Sequence, residues 1–321
     1  MRKLLGLTFL ALVIAAPFGA EAFSVGPNPP YARQTLKLSQ QEVKDLLHMR
    51  EEEKLARDVY LTLSKKYPLP IFRNIARSES RHMEMVGLLL KKYGLPDPVQ
   101  ETGNRVGVFK DPALQELYRK LVSQGERSLV DALKVGATIE DLDIADLERA
   151  VKDTDKPDIK TVYYNLMKGS RNHMRAFVRL LRRYGGSYSP QYISQAQFNR
   201  ILSTPHEAGF YAPNGKVSTV SSLYHLKGKV VSVKQVPLGR RGVKWWVVEV
   251  EAAGKLFSLR VAPVWWYPDF SVSPGDQVEV SAFQPPYWRL KGVNVLVVCT
   301  LTDNSNGKVY DFSRWRRFCG N

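Results

Sequence analysis

Apolar residues recur at helical spacing through the first two-thirds of the chain and at strand spacing through the last third. Met49, Ala56, Val59, Tyr60 and Leu63 form the first stripe, which predicts a helix. Ser39-Gln40-Gln41-Glu42 reads as its capping box, and Tyr67-Pro68 ends it. A second helix is expected over Pro70–Tyr93, with Ile75, Val86 and Leu89 on its buried side and Gly94-Leu95-Pro96 as its stop. A glycine-containing loop then leads to a short helix near 112–124. Ser128 starts another helical stretch, with a break expected at Gly136 and a new cap at Thr138-Ile139-Glu140-Asp141. The last long helix opens at Asp155-Lys156-Pro157 and ends at Tyr184-Gly185-Gly186. A small helix is expected near 194–202. Four long segments with mostly short connections predict a four-helix bundle.

From 203 to 222 Pro, Gly, Ser and Thr dominate, and the stretch reads as a linker. Five β-rich runs follow, at 228–236, 244–251, 255–262, 277–282 and 293–301, several separated by turn formers such as Pro274-Gly275-Asp276. Five short strands suit a small closed barrel, of which the OB-fold is the common five-stranded type.

Candidate chemistry comes from polar residues inside the apolar stripes. Drawn on a helical wheel, Glu79 and His82 fall inside the apolar arc of the second helix. His173 sits in the middle of the apolar face that Val162, Leu166, Phe177 and Leu180 give the last helix. In the third region Asp143 lies near the centre of the buried side and Glu140 at its edge. Glu52 and Glu53 flank the stripe of the first helix. Each has an ordinary reading: Glu79 as a surface partner of Arg77 or Arg81, His82 and His173 as core histidines, Glu140 as a first-turn acid. Their conjunction is harder to explain, because a buried lone carboxylate costs several kcal/mol. Divalent cations would neutralise such a set, and carboxylate with imidazole suits iron, manganese or zinc. The candidate ligands are Glu53, Glu79, His82, Glu140, Asp143 and His173. His48, His206 and His225 lack such company and read as structural.

The same residues carry a resemblance. Glu53-Lys54-Leu55-Ala56-Arg57-Asp58-Val59-Tyr60 resembles the E-x-x-A-R-x-x-Y first-helix pattern of rubrerythrins in the ferritin-like superfamily. Ala76, Glu79 and His82 resemble their second helix with its ExxH. The runs Met49–Tyr60, Glu79-Ser80-Arg81-His82-Met83, Ile139-Glu140-Asp141-Leu142-Asp143-Ile144 and Gly169-Ser170-Arg171-Asn172-His173 are similar to the ferritin-like family DUF2202. The likeness covers about residues 40–202. It implies a carboxylate- and histidine-bound iron centre with ferroxidase- or peroxidase-like chemistry. One departure matters: ferritin-like di-iron sites usually carry Glu three residues before the last-helix histidine, and here that position is Ser170. Asp143 or Glu52 is then needed for a second metal, and a mononuclear site is the alternative.

The ends and the charge place the protein. Met1-Arg2-Lys3, an apolar run over 4–16 and Ala20-Glu21-Ala22 have the layout of a secretory signal peptide; an uncleaved anchor is the alternative. The mature chain has no further apolar run long enough to span a bilayer. It is expected to be exported, and periplasmic in a Gram-negative source. Net charge is +16, from 47 basic against 31 acidic residues. Export argues against nucleic acid as the partner and for a soluble basic surface or anionic envelope components. Cys299 and Cys319 lie in no CxxC pair, which argues against a zinc knuckle, and an oxidising compartment allows them to bridge. Val264-Trp265-Trp266-Tyr267-Pro268 and Tyr287-Trp288 read as barrel core with an interdomain contact, ahead of a stacking surface for bases or sugars.

The expected architecture is thus multidomain, α then β: signal peptide 1–22, N-terminal extension 23–38, ferritin-like four-helix bundle 39–202, linker 203–222 and OB-like β-barrel 223–321. The expected function is an exported iron-binding protein with oxidoreductase character, manganese or zinc being the other metals. A homo-oligomer is an allowed assembly. The competing expectation is a non-catalytic scaffold or binding module of the cell envelope.

Overall fold

The computed structural model describes residues 37–218, 223–238, 242–285, 294–313 and Cys319. The expected signal peptide, the extension up to residue 36, the last part of the expected linker (219–222) and Tyr287-Trp288 lie outside the described residues. Among those described, seven helices combine with a six-stranded sheet and a two-stranded ribbon, so the chain is of mixed α and β class. No described helix is long and apolar enough to cross a membrane.

Helix α1 (Gln40–Lys66) starts at the expected capping box. The Ser39 hydroxyl accepts from the Glu42 N–H, and the Glu42 carboxylate accepts from the Ser39 N–H. Helix α2 (Pro70–Tyr93) ends at Gly94, whose φ of 68° is the left-handed cap that glycine adopts without a Cβ clash. A four-residue helix, α3 (Pro98–Glu101), precedes α4 (Pro112–Gly125). Helix α5 (Leu129–Lys152) is capped by Ser128 and runs on through Gly136, contrary to the expected break. The Phe177 ring of α6 (Pro157–Arg183) lies where a side chain at 136 would go. Gly136 therefore serves close helix packing rather than termination. Helix α7 (Gln195–Ser203) follows.

Helix α1 packs along α2, and α5 along α6; α1 also meets α5, and α2 meets α6. The four long helices thus share one interior, filled by Leu55, Val59, Phe72, Val86, Ile144, Leu166 and Phe177. Helix α1 is buried on more than its apolar stripe, since every residue from Met49 to Tyr60 is buried. Residues 97–111 cover its far side with polar contacts. Arg50 is held by both oxygens of Asp97, each at 2.9 Å. Buried Lys54 pairs with Asp58 and donates to the Arg105 carbonyl at 2.7 Å. The Glu51 carboxylate accepts the backbone N–H groups of Lys110 and Asp111.

The stretch expected to be a linker is more structured at its start. Strands β1 (Phe210–Tyr211) and β2 (Val217–Ser218) pair as a small ribbon. Asn165 of α6 grips the Tyr211 backbone, donating to its carbonyl at 2.8 Å and accepting its N–H at 3.0 Å. Arg171 and Arg175 hold Glu207. These are side-chain-specific anchors in a segment of turn-forming composition.

The sheet comprises β3 (Leu223–Leu238), β4 (Val243–Ala252), β5 (Lys255–Pro263), β6 (Gln277–Phe283), β7 (Val295–Asp303) and the unforeseen β8 (Lys308–Asp311). Its order is β5-β4-β3-β6-β7-β8 with antiparallel neighbours, and β5 also pairs in parallel with β7. Val248, Leu259, Val261, Val280, Val298 and Phe312 form its core, against which Trp266 and Tyr267 pack. Trp265 is exposed. This core and that of the helices have no residue in common. A chain ending after Ser218 should therefore keep its full helical circular-dichroism signal, and loss of that signal would show that the helices need the sheet.

Cys299 on β7 and Cys319 form a disulfide across 20 residues. Cys319→Ala should destabilise the β region by about 3 kcal/mol, read as a lower denaturant midpoint. The helices should unfold at an unchanged midpoint.

Candidate metal centre

Glu79 and His82 stand three residues apart on α2, so both project from one face. Glu79 is fully buried. Its Oε2 lies 2.7 Å from His82 Nδ1, and its Oε1 lies 2.8 Å from Nδ1 of His173 on α6. Glu53 of α1 places Oε2 at 3.0 Å from His82 Nδ1. Glu140 of α5 places Oε2 at 3.4 Å from His173 Nδ1. Each long helix thus contributes to one of two triads: Glu53, Glu79 and His82, or Glu79, Glu140 and His173. Glu79 belongs to both. Within each triad the ligand-type atoms lie within 4.8 Å of one another. The imidazole rings stack with centroids 5.6 Å apart.

The residues fit a metal. Both Glu79 oxygens, Glu140 Oε2 and His173 Nδ1 are buried and make no aligned hydrogen bond, despite their short separations. Such atoms converge on common points rather than pairing with each other. Asp143, one turn beyond Glu140, is buried beside them with neither oxygen hydrogen-bonded. Oxygen and imidazole donors of this kind suit iron, manganese or zinc.

The charges bear the marks of crowding. Burial pushes the Glu53 carboxyl up to about 7, against the pull of His82. Burial, then the carboxylates of Glu52, Glu53, Glu140 and Glu79, raises Asp143 well above the usual range. Glu140 is likewise raised, first by burial. Burial also acts to raise Glu79, but His173 and His82 outweigh it and hold that carboxyl low. His82 is pushed up to about 10: burial opposes the shift, and Glu53 and Glu79 overcome it. Near neutral pH the metal-free centre therefore holds protons on imidazole and carboxyl groups.

Neighbouring residues set the ligand positions. The Tyr60 hydroxyl donates to Glu140 Oε1 at 2.6 Å, leaving Oε2 facing His173. A Cβ at Gly169 on α6 would come within 2.5 Å of His82 Cε1 and 2.6 Å of Nε2, so glycine makes room for the ring. Asp141, between the two inward acids of α5, turns away to accept the N–H groups of Gln191, Tyr192 and Ile193. Ser170 is fully buried, and its hydroxyl bonds back to the Leu166 carbonyl at 3.3 Å.

Five of the six candidate ligands read from the sequence meet in the two triads, and Asp143 lies beside them. The polar roles of Tyr60 and Gly169 were not legible, although the E-x-x-A-R-x-x-Y pattern contains Tyr60. His48, read as structural, instead joins Glu52 and Asp146 in a third group of ligand-type atoms.

Similarity to known proteins follows the helical region. The chain is 60% identical over 172 residues to the uncharacterized protein MJ0754 of Methanocaldococcus jannaschii, covering 54% of this chain and 92% of that protein. The crystal structure of the hypothetical protein MJ0754 from Methanococcus jannaschii matches with a TM-score of 0.52, covering 53% of this chain and 97% of that one. Residues 42–205 match the family model described as an uncharacterized protein domain, DUF2202, and the chain belongs to that family.

Proposed function

We propose that residues 39–202 form a ferritin-like four-helix bundle whose triads would hold two metal ions, iron foremost, with Glu79 available to both. The membership of Glu79 in both triads carries this reading. The bound metal supplies Lewis acidity and redox chemistry toward oxygen or peroxide. The chain's own residues place and tune it. Tyr60 fixes Glu140, Gly169 admits His82, and the surrounding apolar side chains restrict water. The export layout of the N-terminus and the disulfide support a periplasmic or other oxidising location. We read the sheet as an OB-like barrel: the parallel β5–β7 pairing joins the ends of the β5-β4-β3-β6-β7 series.

Asp143 is proposed to compensate for the carboxylate missing at Ser170. Asp143→Asn should lower metal occupancy. Ser170→Glu alone should crowd the centre and destabilise the metal-free protein by several kcal/mol, about the cost of an unpaired buried charge. Combined with Asp143→Asn it should restore binding, because a carboxylate at 170 lies one turn before His173. If the double variant binds no better than Asp143→Asn, the compensation is wrong.

Metal uptake should release protons, since the raised carboxyls and the imidazoles must give them up. Affinity should fall as the pH drops below about 10, where His82 keeps its proton, and more steeply below about 7, where Glu53 keeps its own. Calorimetry in buffers of different ionisation enthalpy reads this directly, and a binding heat independent of buffer contradicts it.

Metal analysis of protein purified from its native compartment tests the function. About two irons per chain support the redox reading. Absence of any transition metal supports the alternative, a non-catalytic envelope module, which Ser170 in place of a carboxylate favours.

A further inference from the structure

A separate group of ligand-type residues, His48, Glu52 and Asp146, combines a partly exposed imidazole with two buried carboxyls. His48 Nε2 is 3.4 Å from Asp146 Oδ2 and 3.7 Å from Glu52 Oε2. The three ligand-type atoms fall within 4.8 Å of one another, as in each inner triad. His48 is about one-third exposed, so the group has access to solvent. On the other side of the ring, Asp111 Oδ2 lies 4.0 Å from Nδ1 and favours the tautomer or charge that orients it. Arg149 takes Asp146 Oδ1 at 2.6 Å and leaves Oδ2 facing His48.

A surface ion-pair cluster needs no further ligand, and the group would pass for one but for Glu52. Its side chain is 2% exposed, and neither oxygen makes a hydrogen bond. A carboxyl so buried either keeps a proton, as burial first and then the Asp146 and Glu53 carboxylates favour for Glu52, or gives it up to a cation that takes its place. Arg149 is taken up by Asp146, and the cation facing Glu52 is His48, no nearer than 3.7 Å and shared with Asp146. Asp143, also buried and without hydrogen bonds, is near enough to Glu52 of this group and to Glu53, Glu140 and Glu79 of the inner triads for their charges to act on it, that of Glu52 most strongly. Along α5, Glu140, Asp143 and Asp146 follow at three-residue intervals, which puts acids on successive turns from the inner triad to this group. On α1, Glu52 and Glu53 are adjacent, one in the outer group and one in the inner.

We propose that His48, Glu52 and Asp146 form an outer binding site for a divalent transition-metal cation that supplies the inner centre. The imidazole and carboxylate set suits iron(II), manganese(II) or zinc(II). Its role as the inward route rests on the function proposed above, but occupancy of the outer site does not.

Zinc-edge anomalous diffraction from crystals of the full chain equilibrated with Zn²⁺ locates every bound ion. A peak bounded by His48, Glu52 and Asp146 is expected, and it should vanish in His48→Ala and in Asp146→Asn. Inner peaks should remain in both variants. In solution, Zn²⁺ loading of the inner centre should slow by about tenfold or more in the variants and reach the same final occupancy. Unchanged melting temperatures would show that folding is not the cause. An absent outer peak in the wild type overturns the site, as does a peak that persists in both variants. An unchanged loading rate overturns the route. An outer peak without inner peaks leaves the outer site standing and instead removes the reading of the centre.

Discussion

Glu79→Ala should empty both halves of the centre in one step. Its oxygens lie 2.7 Å from His82 and 2.8 Å from His173, and no other residue belongs to both inner triads. Each triad would keep one carboxylate and one imidazole, too few to hold a divalent ion in place. Affinity should fall by more than about 100-fold, beyond the range usual for losing an outer-shell partner. The helices should still fold. The substitution removes a buried charge, and the apolar core that joins α1, α2, α5 and α6 is untouched. His82→Ala should act on the Glu53 side first and then weaken the other metal through the shared carboxylate. Metal content per chain, measured with the far-ultraviolet circular dichroism of the same sample, separates ligand loss from unfolding. Unchanged metal content in both variants would remove these residues from the site.

Gly169→Ala should do comparable damage without touching a ligand. The added methyl would sit 2.5–2.6 Å from Cε1 and Nε2 of His82, closer than carbon and nitrogen tolerate. The ring must shift, and with it the Nδ1 that faces Glu53 and Glu79. Overpacking of this kind costs roughly 1–3 kcal/mol of stability. Misplacing the ligand should weaken metal binding by about 10- to 100-fold. Gly125→Ala is the matched control. Its Cβ would meet Leu63 at 2.8–2.9 Å, in apolar packing that contains none of the proposed metal ligands. The two variants should lose similar stability, and only Gly169→Ala should lose metal. Equal metal affinity in the pair would show that His82 has freedom to move and that Gly169 has no part in shaping the centre.

The parts of the site that were legible in the sequence are those that interrupt a clean periodic pattern. Helices α2 and α6 are strongly two-faced, so Glu79, His82 and His173 are visible as polar residues on an apolar face. Helix α1 has no such contrast. Its polar residues are buried on the far side because residues 97–111 cover them with specific bonds, such as Asp97 to Arg50 and Lys110 to Glu51. Periodicity carries no signal for a covering loop. The company His48 keeps has no local signal either, because its partner Asp146 is 98 residues away on another helix. Gly136 was misread because glycine weakens a helix by local propensity, while here the fit against Phe177 decides. In the sheet, β3 to β7 followed from the β-rich runs, and the short β8 did not. The parallel β5–β7 pairing is a long-range property that no local pattern encodes.

Glu79, shared by both triads, would serve two metals at once under the function proposed above. An iron-edge anomalous difference map from crystals of the iron-loaded full chain tests it most directly. Two peaks about 3.5–4 Å apart are expected. One should touch Glu53 and His82, the other Glu140 and His173, and Glu79 should contact both. A single peak that does not touch Glu79, or no peak among these residues, would contradict it.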